Sequence, residues 1–332
     1  MPSSLPLIRL SAINPFLLEL RRRGVGVGGL LRDLGLPEDI PASQELFVAP
    51  TAIYEFVERS AEIAGDPYLG FTVGSALDLD RWDPIADAAE DSNTVGELLT
   101  LFIVNAADHS SASRFFLRTD GARSTFGLER IKTPAFRQGQ NDAFYMGFMS
   151  RMLSHATREY WDARKVMFRV ADTACIPSTS ENFRVAQGDP TGIRISFPSQ
   201  WLLERFENSR FRAQCRQETS RAIPRSLLES VHRALKPHLH ETDLTVERAA
   251  KICGYNRRRL ARELRAEGTT ISKEIAKLRA SKAEEELGHP ERRVAEVAQC
   301  VGFTDPTVFS RAFKNWTGQS PQEYRRTHRA PG

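Results

Sequence analysis

The C-terminal third of this 332-residue chain carries one helix-turn-helix pattern twice, and this repeat constrains the fold more than any other feature. In the second copy, residues 294–300 have the spacing of an amphipathic helix that ends at Gly302. Glycine permits the positive φ that ends a helix without strain, and Thr304 is predicted to cap the next helix. The apolar residues of that next helix recur at helical spacing as Val308, Phe309, Ala312, Phe313 and Trp316. The pattern predicts two helices joined by a tight turn, with a polar face left for a partner.

The first copy has the same parts in the same order. Gly254 makes the predicted turn, Asn256 is the predicted cap, and Leu260 and Leu264 are predicted to face inward. The positions left for solvent or a partner are Arg257, Arg258, Ala261, Arg262 and Arg265. This outward face is therefore strongly basic.

Arg258 and Arg262 lie one helical turn apart, so a helix would present two guanidinium forks on one face. Such forks suit guanine edges and phosphates. Between the copies, residues 271–287 have a helical pattern about 25 Å long at 1.5 Å per residue. A helix of that length could hold two recognition helices in successive major-groove segments, roughly 34 Å apart.

The segment from about Leu227 to Arg329 closely resembles the DNA-binding domain of AraC/XylS-type bacterial transcription regulators. The resemblance is carried by the Gly302-Phe303 turn, the helix at residues 309–314, and the Gly-Gln-Ser-Pro sequence at 318–321 followed by Tyr-Arg. It implies a seven-helix module that reads about two adjacent major-groove segments of double-stranded DNA. Residue by residue, it implies DNA contacts by Arg258, Ala261 and Arg262 in the first motif and by Pro306, Thr307 and Arg311 in the second.

Two further residues join this predicted interface because they flank it, namely Arg257 and Lys314. Ala261 and Pro306 have no side-chain donor, so they offer only apolar contacts, for instance to a thymine methyl. The alternative is that the helix-turn-helix is a purely structural αα corner whose arginines face solvent and bind no DNA. Two copies at the family spacing argue against that alternative.

Charge supports a nucleic-acid partner for the C-terminal part only. Residues 241–332 hold 18 Lys and Arg against 13 Asp and Glu, a net charge of +5, whereas the whole chain is +4. About −1 therefore remains for residues 1–240. This asymmetry fits a duplex-binding module joined to a domain with another role.

The N-terminal part is predicted to be an α+β domain for sensing and dimerisation, followed by the all-α DNA-binding domain. Helical patterns occur at residues 14–22, 52–64, 95–107 and 141–160, and strand patterns at 113–119, 124–131, 166–170 and 193–197. Their order resembles the arabinose-binding-type domain found in one branch of the same regulators. We place the first domain at residues 1–206, an arginine-rich linker at 207–225, and the DNA-binding domain at 226–329.

The effector site is marked only weakly. The resemblance implies a small ligand, and one candidate is the linker pair Arg212 and Arg216, whose RxxxR spacing resembles the arginines with which PilZ-type domains bind cyclic dinucleotides such as cyclic di-GMP. The alternative is a solvated linker face. A second candidate set either lines a ligand cavity or forms plain core, and it consists of Phe144, Tyr145, Phe148, Met149 and Met152.

Other classes of function lack their motifs. The sequence has no GxSxG, P-loop or HExxH motif and no paired-carboxylate constellation, so we expect neither catalysis nor a cofactor. The GxGxxG letters at 24–29 follow a predicted helix rather than a strand, which disfavours a dinucleotide site. The four cysteines form no metal-binding or disulfide pattern. No apolar run is long enough for a membrane span, and we expect a cytoplasmic protein.

The sequence thus predicts a one-component transcription regulator that is a homodimer and binds promoter or operator DNA. The resemblance implies contact with RNA polymerase and favours activation over repression. The alternative is an architectural protein that binds DNA independently of any ligand.

Overall fold

The computed structural model describes residues 5–37, 46–79, 82–132, 138–178, 183–205, 226–289 and 291–327. The chain divides into two compact units. Of the described residues, one unit comprises 6–37 and 50–205, and the other comprises Leu5, Leu46–Ala49 and the residues from 226 onward. The predicted linker, including Arg212 and Arg216, lies outside the described residues.

The N-terminal unit is built on one long buried helix and one sheet. Its helices are α1 (Asn14–Arg22), α2 (Gly28–Leu34), α3 (Pro50–Ala64), α4 (Leu69–Ser75), α5 (Asp83–Glu90), α6 (Val95–Ala106) and α7 (Gly139–Thr157). Two short strands, β1 (Ile8–Arg9) and β2 (Phe47–Val48), precede the main sheet in sequence, and β2 belongs to the other unit. The α+β class expected for this part of the chain is confirmed.

The main sheet has five strands in the order β3-β4-β7-β5-β6. They are β3 (Ser113–Asp120), β4 (Arg123–Arg130), β5 (Met167–Val170), β6 (Arg184–Gln187) and β7 (Gly192–Pro198). All neighbouring pairs are antiparallel except β5 and β6, which are parallel. One face of the sheet carries Phe126, Ile195, Phe168 and other fully buried side chains and packs on α7. The opposite face is more polar, although Ser124 and Arg130 lie on the face that packs on α7.

The C-terminal unit is all-helical apart from the segment Leu46–Ala49. Its helices are α8 (Leu227–Leu235), α9 (Val246–Ile252), α10 (Arg257–Ala266), α11 (Ile271–Leu287), α12 (Val294–Cys300), α13 (Pro306–Thr317) and α14 (Pro321–Thr327). The connecting helix predicted at 271–287 forms with those bounds. Helix α11 contacts the helices of both motifs, so it is the common support of the unit.

Candidate nucleic-acid interface

The first helix-turn-helix consists of α9, a turn and α10, as predicted. Gly254 has φ of +67°, a conformation that side-chain-bearing residues rarely adopt. Asn256 caps α10, since its side-chain oxygen accepts a hydrogen bond of 2.8 Å from the Arg259 backbone amide. Leu260 and Leu264 are buried beneath α10. These four residues fix which face of α10 points outward.

The outward face of α10 carries the predicted contact residues in different environments. Arg258 and Arg262 are exposed, and 78% of the Arg262 side chain is accessible, whereas Ala261 is half-buried. Arg257 forms an ion pair with Glu247 of α9. The Arg259 guanidinium lies 4.6 Å from the centre of the Tyr255 ring, where it packs on the protein. Arg262 has one long ion pair, 3.8 Å from Glu263, so the guanidinium groups of both Arg258 and Arg262 remain accessible to a partner.

The second motif consists of α12, a turn and α13, and its cap differs from the prediction. Gly302 has the predicted positive φ, +78°. The cap, however, is Asp305 rather than Thr304, because the Asp305 carboxylate accepts a hydrogen bond of 2.7 Å from the Thr307 backbone amide. That hydrogen bond lowers the pKa of Asp305. Pro306 then occupies the first helical position, where its missing N–H costs nothing.

The outward face of α13 contains the predicted residues and one that was assigned wrongly. Pro306, Thr307, Arg311 and Lys314 are all exposed. Val308 was predicted to join the apolar stripe, but it is 50% exposed. The shift of the cap to Asp305 does not move the stripe; Phe309 and Phe313 are the side chains that fill the core, and Val308 lies one position outside them. Val308 and Arg311 are three positions apart and therefore lie on the same side of α13. The proposed interface of α13 thus includes an apolar side chain next to Arg311.

An aromatic core holds α13 in place. Phe309 and Phe313 are fully buried with Ala283 and Leu287 of α11 and with three residues at the end of α12, namely Val297, Ala298 and Val301. Phe303 and Trp316 pack against this cluster with their ring centres 5.8 Å apart. Burying several aromatic side chains contributes strongly to stability. The second recognition helix is therefore fixed mainly by apolar packing.

A polar cluster adds to the apolar packing at the other end of α11. Glu274 has no exposed side-chain surface and contacts Lys277, Thr269 and His232, with a distance of 2.5 Å from its Oε2 to His232 Nε2. Burial opposes ionisation of this carboxyl, but the hydrogen bonds from Lys277, Thr269 and His232 outweigh it and lower the pKa of Glu274 to about 2. His232 lies on α8 and Thr269 follows α10. This one carboxylate therefore ties two parts of the first half, α8 and the segment after α10, to α11.

Arg279 of α11 connects the turn of the second motif with the segment that precedes α9. Its Nη2 donates a hydrogen bond of 2.8 Å to the backbone carbonyl of Glu241, and its guanidinium lies 5.4 Å from the centre of the Phe303 ring. The Glu241 side chain in turn accepts a hydrogen bond of 2.5 Å from Arg248 Nε on α9. A Cβ on Gly302 would lie 2.6 Å from the same carbonyl, so only glycine fits there. The turn of the second motif is thus packed against residues anchored to the first.

The N-terminal unit contains a buried polar cluster where α7 begins. Arg130 and Asp142 form an ion pair whose side chains have no exposed surface, and Asn141 also accepts a hydrogen bond from Arg130, 3.1 Å long. Burial raises the pKa of neighbouring Glu58 to about 7. Of the set that was predicted to be either a cavity lining or core, four members are buried, namely Phe144, Phe148, Met149 and Met152. Tyr145 is half-buried.

Among the described residues, no group of three or more His, Cys, Asp or Glu is placed to hold a metal ion. None of the described helices is long and apolar enough to cross a membrane.

Comparison with known protein families matches both parts of the chain. Residues 249–327 match a helix-turn-helix domain family, and residues 24–185 match the family described as the arabinose-binding domain of AraC transcription regulator, N-terminal. The chain belongs to the AraC family of transcription regulators. An AraC-family protein of this kind is a DNA-binding regulator and not an enzyme. The helix-turn-helix match covers α10 to α14 and part of α9.

Individual relatives match different extents of this AraC-family chain. The transcriptional activator NphR of a Rhodococcus species is 35% identical over 101 residues, which is 30% of this chain and 30% of NphR. This match therefore spans about a third of that relative. The regulator VirS of Mycobacterium tuberculosis is 22% identical over 335 aligned positions, 96% of each chain. The crystal structure of the regulator CdpR from Pseudomonas aeruginosa covers 92% of this chain and 98% of its own, with 17% identity and a TM-score of 0.39.

Proposed function

We propose that this regulator reads an operator with α10 and α13, which enter two successive major-groove segments of the same DNA duplex. The observation that carries the proposal is that both helices present exposed donor side chains outward while one helix, α11, supports both. Recognition helices in adjacent segments lie roughly 34 Å apart on DNA. Because α11 supports both helices, the two DNA segments that α10 and α13 contact have a fixed spacing. The operator is therefore a two-part sequence.

The exposed residues divide into those that select bases and those that bind phosphates. Arg258, Arg262 and Arg311 are the candidates for bidentate contacts to guanine, since their guanidinium groups are exposed on the outward faces. Arg257, held by Glu247, and Lys314 suit phosphate contacts, which set affinity and register without reading sequence.

Three smaller residues complete the proposed interface. Thr307 offers a hydroxyl to a base or a phosphate, while Ala261 and Pro306 offer apolar surface. Val308 joins them because it is half-exposed next to Arg311 on α13. Its side chain suits the methyl group of thymine. The second half of the operator is therefore expected to include a thymine beside the base read by Arg311.

Regulation completes the proposal. The N-terminal domain pairs two copies, so that weak binding by one copy becomes avid binding at repeated half-sites. An effector bound by that domain or by the linker controls the DNA-bound state, and a cyclic dinucleotide at Arg212 and Arg216 is the effector we favour, since guanidinium groups pair with phosphates and stack on purines. Activation through RNA polymerase is the favoured outcome; the relative NphR is a transcriptional activator. A chromosomal target requires a cytoplasmic protein.

Selection of duplexes from a random pool by the full-length protein tests the DNA-binding part of the proposal. We expect a motif of two parts in adjacent major-groove segments. Arg262→Ala should relax base preference in one part and Arg311→Ala in the other, each with about a tenfold loss of affinity. Arg164→Ala, an exposed arginine of the N-terminal unit, is the matched control and should select the wild-type motif. Recovery of no motif at any salt concentration would contradict the proposal and favour the architectural alternative.

Titration with cyclic di-GMP tests the effector part. Calorimetry should detect binding to the wild-type protein and loss of it in Arg212→Ala/Arg216→Ala. The control pair Arg221→Ala/Arg225→Ala has the same spacing and charge change within the linker. Equal binding by both double variants, or no binding by the wild type, would remove the cyclic dinucleotide and leave the DNA-binding proposal untouched.

A further inference from the structure

The open face of the main sheet in the N-terminal unit is rich in arginine, although this part of the chain has a slightly negative net charge. The strand registers place six arginines on the face turned away from α7, and all five strands contribute. We call this surface the arginine face; its arginines are Arg114, Arg118, Arg123, Arg169, Arg184 and Arg194. Asp120 and Glu129 are the carboxylates that the strands add to the same face. These eight side chains sum to +4, and Asp189, in the loop before β7, pairs with Arg194 at 3.3 Å and lowers the net charge to about +3.

The ion pairs on the arginine face leave most of this charge available. Glu129 lies 3.8 Å from Arg114, 3.9 Å from Arg118 and 4.0 Å from Arg194, distances too long for hydrogen bonds. One carboxylate is thus shared among three guanidinium groups. Arg114 and Arg118 keep 77% and 72% of their side-chain surface exposed. Such exposed charges are well placed to bind an anionic partner.

Arg169 and Arg184 at the other side of the sheet are also exposed. Within the described part of the chain, no carboxylate lies within 4.0 Å of either side chain. The charge of the arginine face therefore extends across the sheet rather than being confined to one edge.

The centre of the arginine face is an ordered stack. The Phe116 ring lies over Gly127 on the neighbouring strand, so close that a Cβ on Gly127 would lie 2.8 Å from the ring. The Arg118 guanidinium lies 4.9 Å from the centre of the Phe116 ring. This stacking restricts the orientation of the guanidinium plane and reduces the entropy lost when it binds a partner.

We propose that the arginine face binds the phosphate backbone of duplex DNA that flanks the operator. All six cations are arginines, whose planar forks match phosphate oxygens. From β3 to β6 the face spans four interstrand spacings, about 19 Å, a distance over which a duplex carries about 11 phosphates. The alternative partner is an acidic protein surface. Its carboxylates would have to be placed to match the arginines across the whole face, whereas a DNA backbone presents phosphates at regular intervals over the same distance.

The contact need not be strong by itself. Because the helix-turn-helix domain already binds DNA, a second site on the same chain meets the flanking duplex at an effective concentration on the order of millimolar. Contacts to phosphates carry no sequence information but add affinity and salt dependence. The arginine face is thus proposed to extend the length of DNA bound beyond the bases that α10 and α13 read.

Binding of the full-length protein to two duplexes tests the proposal. The short duplex ends at the selected operator, and the long one continues on both sides for about three helical turns, roughly 30 base pairs. For the wild type, the slope of log affinity against log salt concentration should be steeper on the long duplex by about two to four, since each phosphate contact adds about 0.9.

The test variant is Arg118→Gln/Arg169→Gln/Arg184→Gln, and the matched control is Arg21→Gln/Arg22→Gln/Arg164→Gln, which removes three exposed arginines elsewhere in the same unit. All three proteins should bind the short duplex equally, which verifies folding and the proposed operator contacts. On the long duplex, the test variant alone should lose the additional slope and about tenfold in affinity at low salt.

Equal salt slopes of the wild type on the two duplexes would overturn the proposal. The proposal would also be overturned if the test variant bound the long duplex as tightly as the wild type does. If the variant lost transcription activation while flanking DNA had no effect on binding, the arginine face would be assigned to a protein partner instead. Failure of every protein on the short duplex would contradict the proposed operator contacts and not the arginine face.

Discussion

The two helix-turn-helix motifs share one pattern but are stabilised by different forces. Beneath α13, Phe309 and Phe313 are fully buried, with Phe303 and Trp316 packed around them. Beneath α10 the buried apolar side chains are two leucines, and polar contacts such as the ion pair between Arg257 and Glu247 connect α10 to α9. The second motif thus has an aromatic core, whereas the first has buried aliphatic side chains, which also include Ala249 and Ala250, together with polar contacts.

This difference teaches that one DNA-binding unit can combine a half built on aromatic packing with a half that adds ion pairs to an aliphatic core. Apolar packing is insensitive to salt, whereas exposed ion pairs weaken as salt screens them. Arg257 and Glu247 are both largely exposed. An exposed pair of this kind contributes at most about 1 kcal/mol, so we expect high salt to weaken the packing of α10 slightly and to leave that of α13 unchanged.

Removal of one aromatic ring from the second motif should produce the largest effect. Phe313→Ala should destabilise this motif by about 3–5 kcal/mol, because a fully buried ring is lost and a cavity remains. Hydrogen exchange of the full-length protein should speed up over residues 294–317 far more than over 246–266. Phe313→Leu serves as the milder control. Equal acceleration in the two motifs would contradict the separation into two differently stabilised halves.

Loss of the buried carboxylate should destabilise the first half next most strongly. The pKa of Glu274 falls to about 2 in the folded protein, below its ordinary value, so its contribution to stability is present above about pH 4.5 and lost as the pH falls toward 2. Glu274→Gln should cost on the order of 2–3 kcal/mol at pH 7 and little at pH 2, by urea unfolding.

The control for Glu274→Gln lies on the same helix. Glu285 is 64% exposed and its ion pair with Lys282 is long, 3.7 Å, so Glu285→Gln should change stability by less than about 0.5 kcal/mol. If Glu274→Gln lowered the unfolding free energy by the same amount at both pH values, the charge of Glu274 would not be what holds α8 and Thr269 to α11.

Arg279 tests whether the halves are connected through the turn of the second motif. Arg279→Met keeps much of the apolar stem but removes the hydrogen bond to the Glu241 carbonyl and the contact with the Phe303 ring. We expect a loss of about 1–3 kcal/mol in unfolding free energy. When the spacing between the two parts of the operator is altered, Arg279→Met should also lose less affinity than the wild type does. If the variant preferred the same operator spacing as the wild type, Arg279 would stabilise its own surroundings without connecting the two halves.

The smallest expected effect concerns Val308. If it contacts a thymine methyl, Val308→Ala should reduce discrimination between thymine and uracil at one operator position by about threefold, with little loss of overall stability because the side chain is half-exposed. Binding assays with the single methyl removed from the DNA provide the measurement. The unsubstituted first half of the operator is the internal control, and an identical ratio in wild type and variant would exclude the contact.

The sequence predicted the second motif well because its aromatic spacing reports the core directly. It also predicted α11, since residues 271–287 carry a helical pattern between two clear turns. The short helix α4 was missed, because its sequence contains two glycines and β-branched residues that disfavour helices. Gly70 and Gly74 allow α4 to approach α7 closely: a Cβ on Gly70 would lie 2.1 Å from the Gln140 carbonyl. Tertiary packing therefore decides the structure of this segment.

The proposed interface shows the same division. Helical spacing places Arg258, Arg262 and Arg311 outward, and the structure finds each exposed. The contact of Arg279 with Glu241, 38 residues away, leaves no local pattern in the sequence. The arginine face was missed for a similar reason, because its members come from five strands whose registers are set by pairing between distant segments.

The two motifs are proposed to read DNA as one pair with fixed spacing. The direct measurement is the affinity of the full-length protein for selected operators with one to five base pairs inserted between the two parts. Since α11 fixes the distance and each inserted pair rotates the second part by about a tenth of a turn, we predict a loss of at least about tenfold by the third insertion. Affinity that is independent of the insertion would contradict the claim and show that the motifs bind separately.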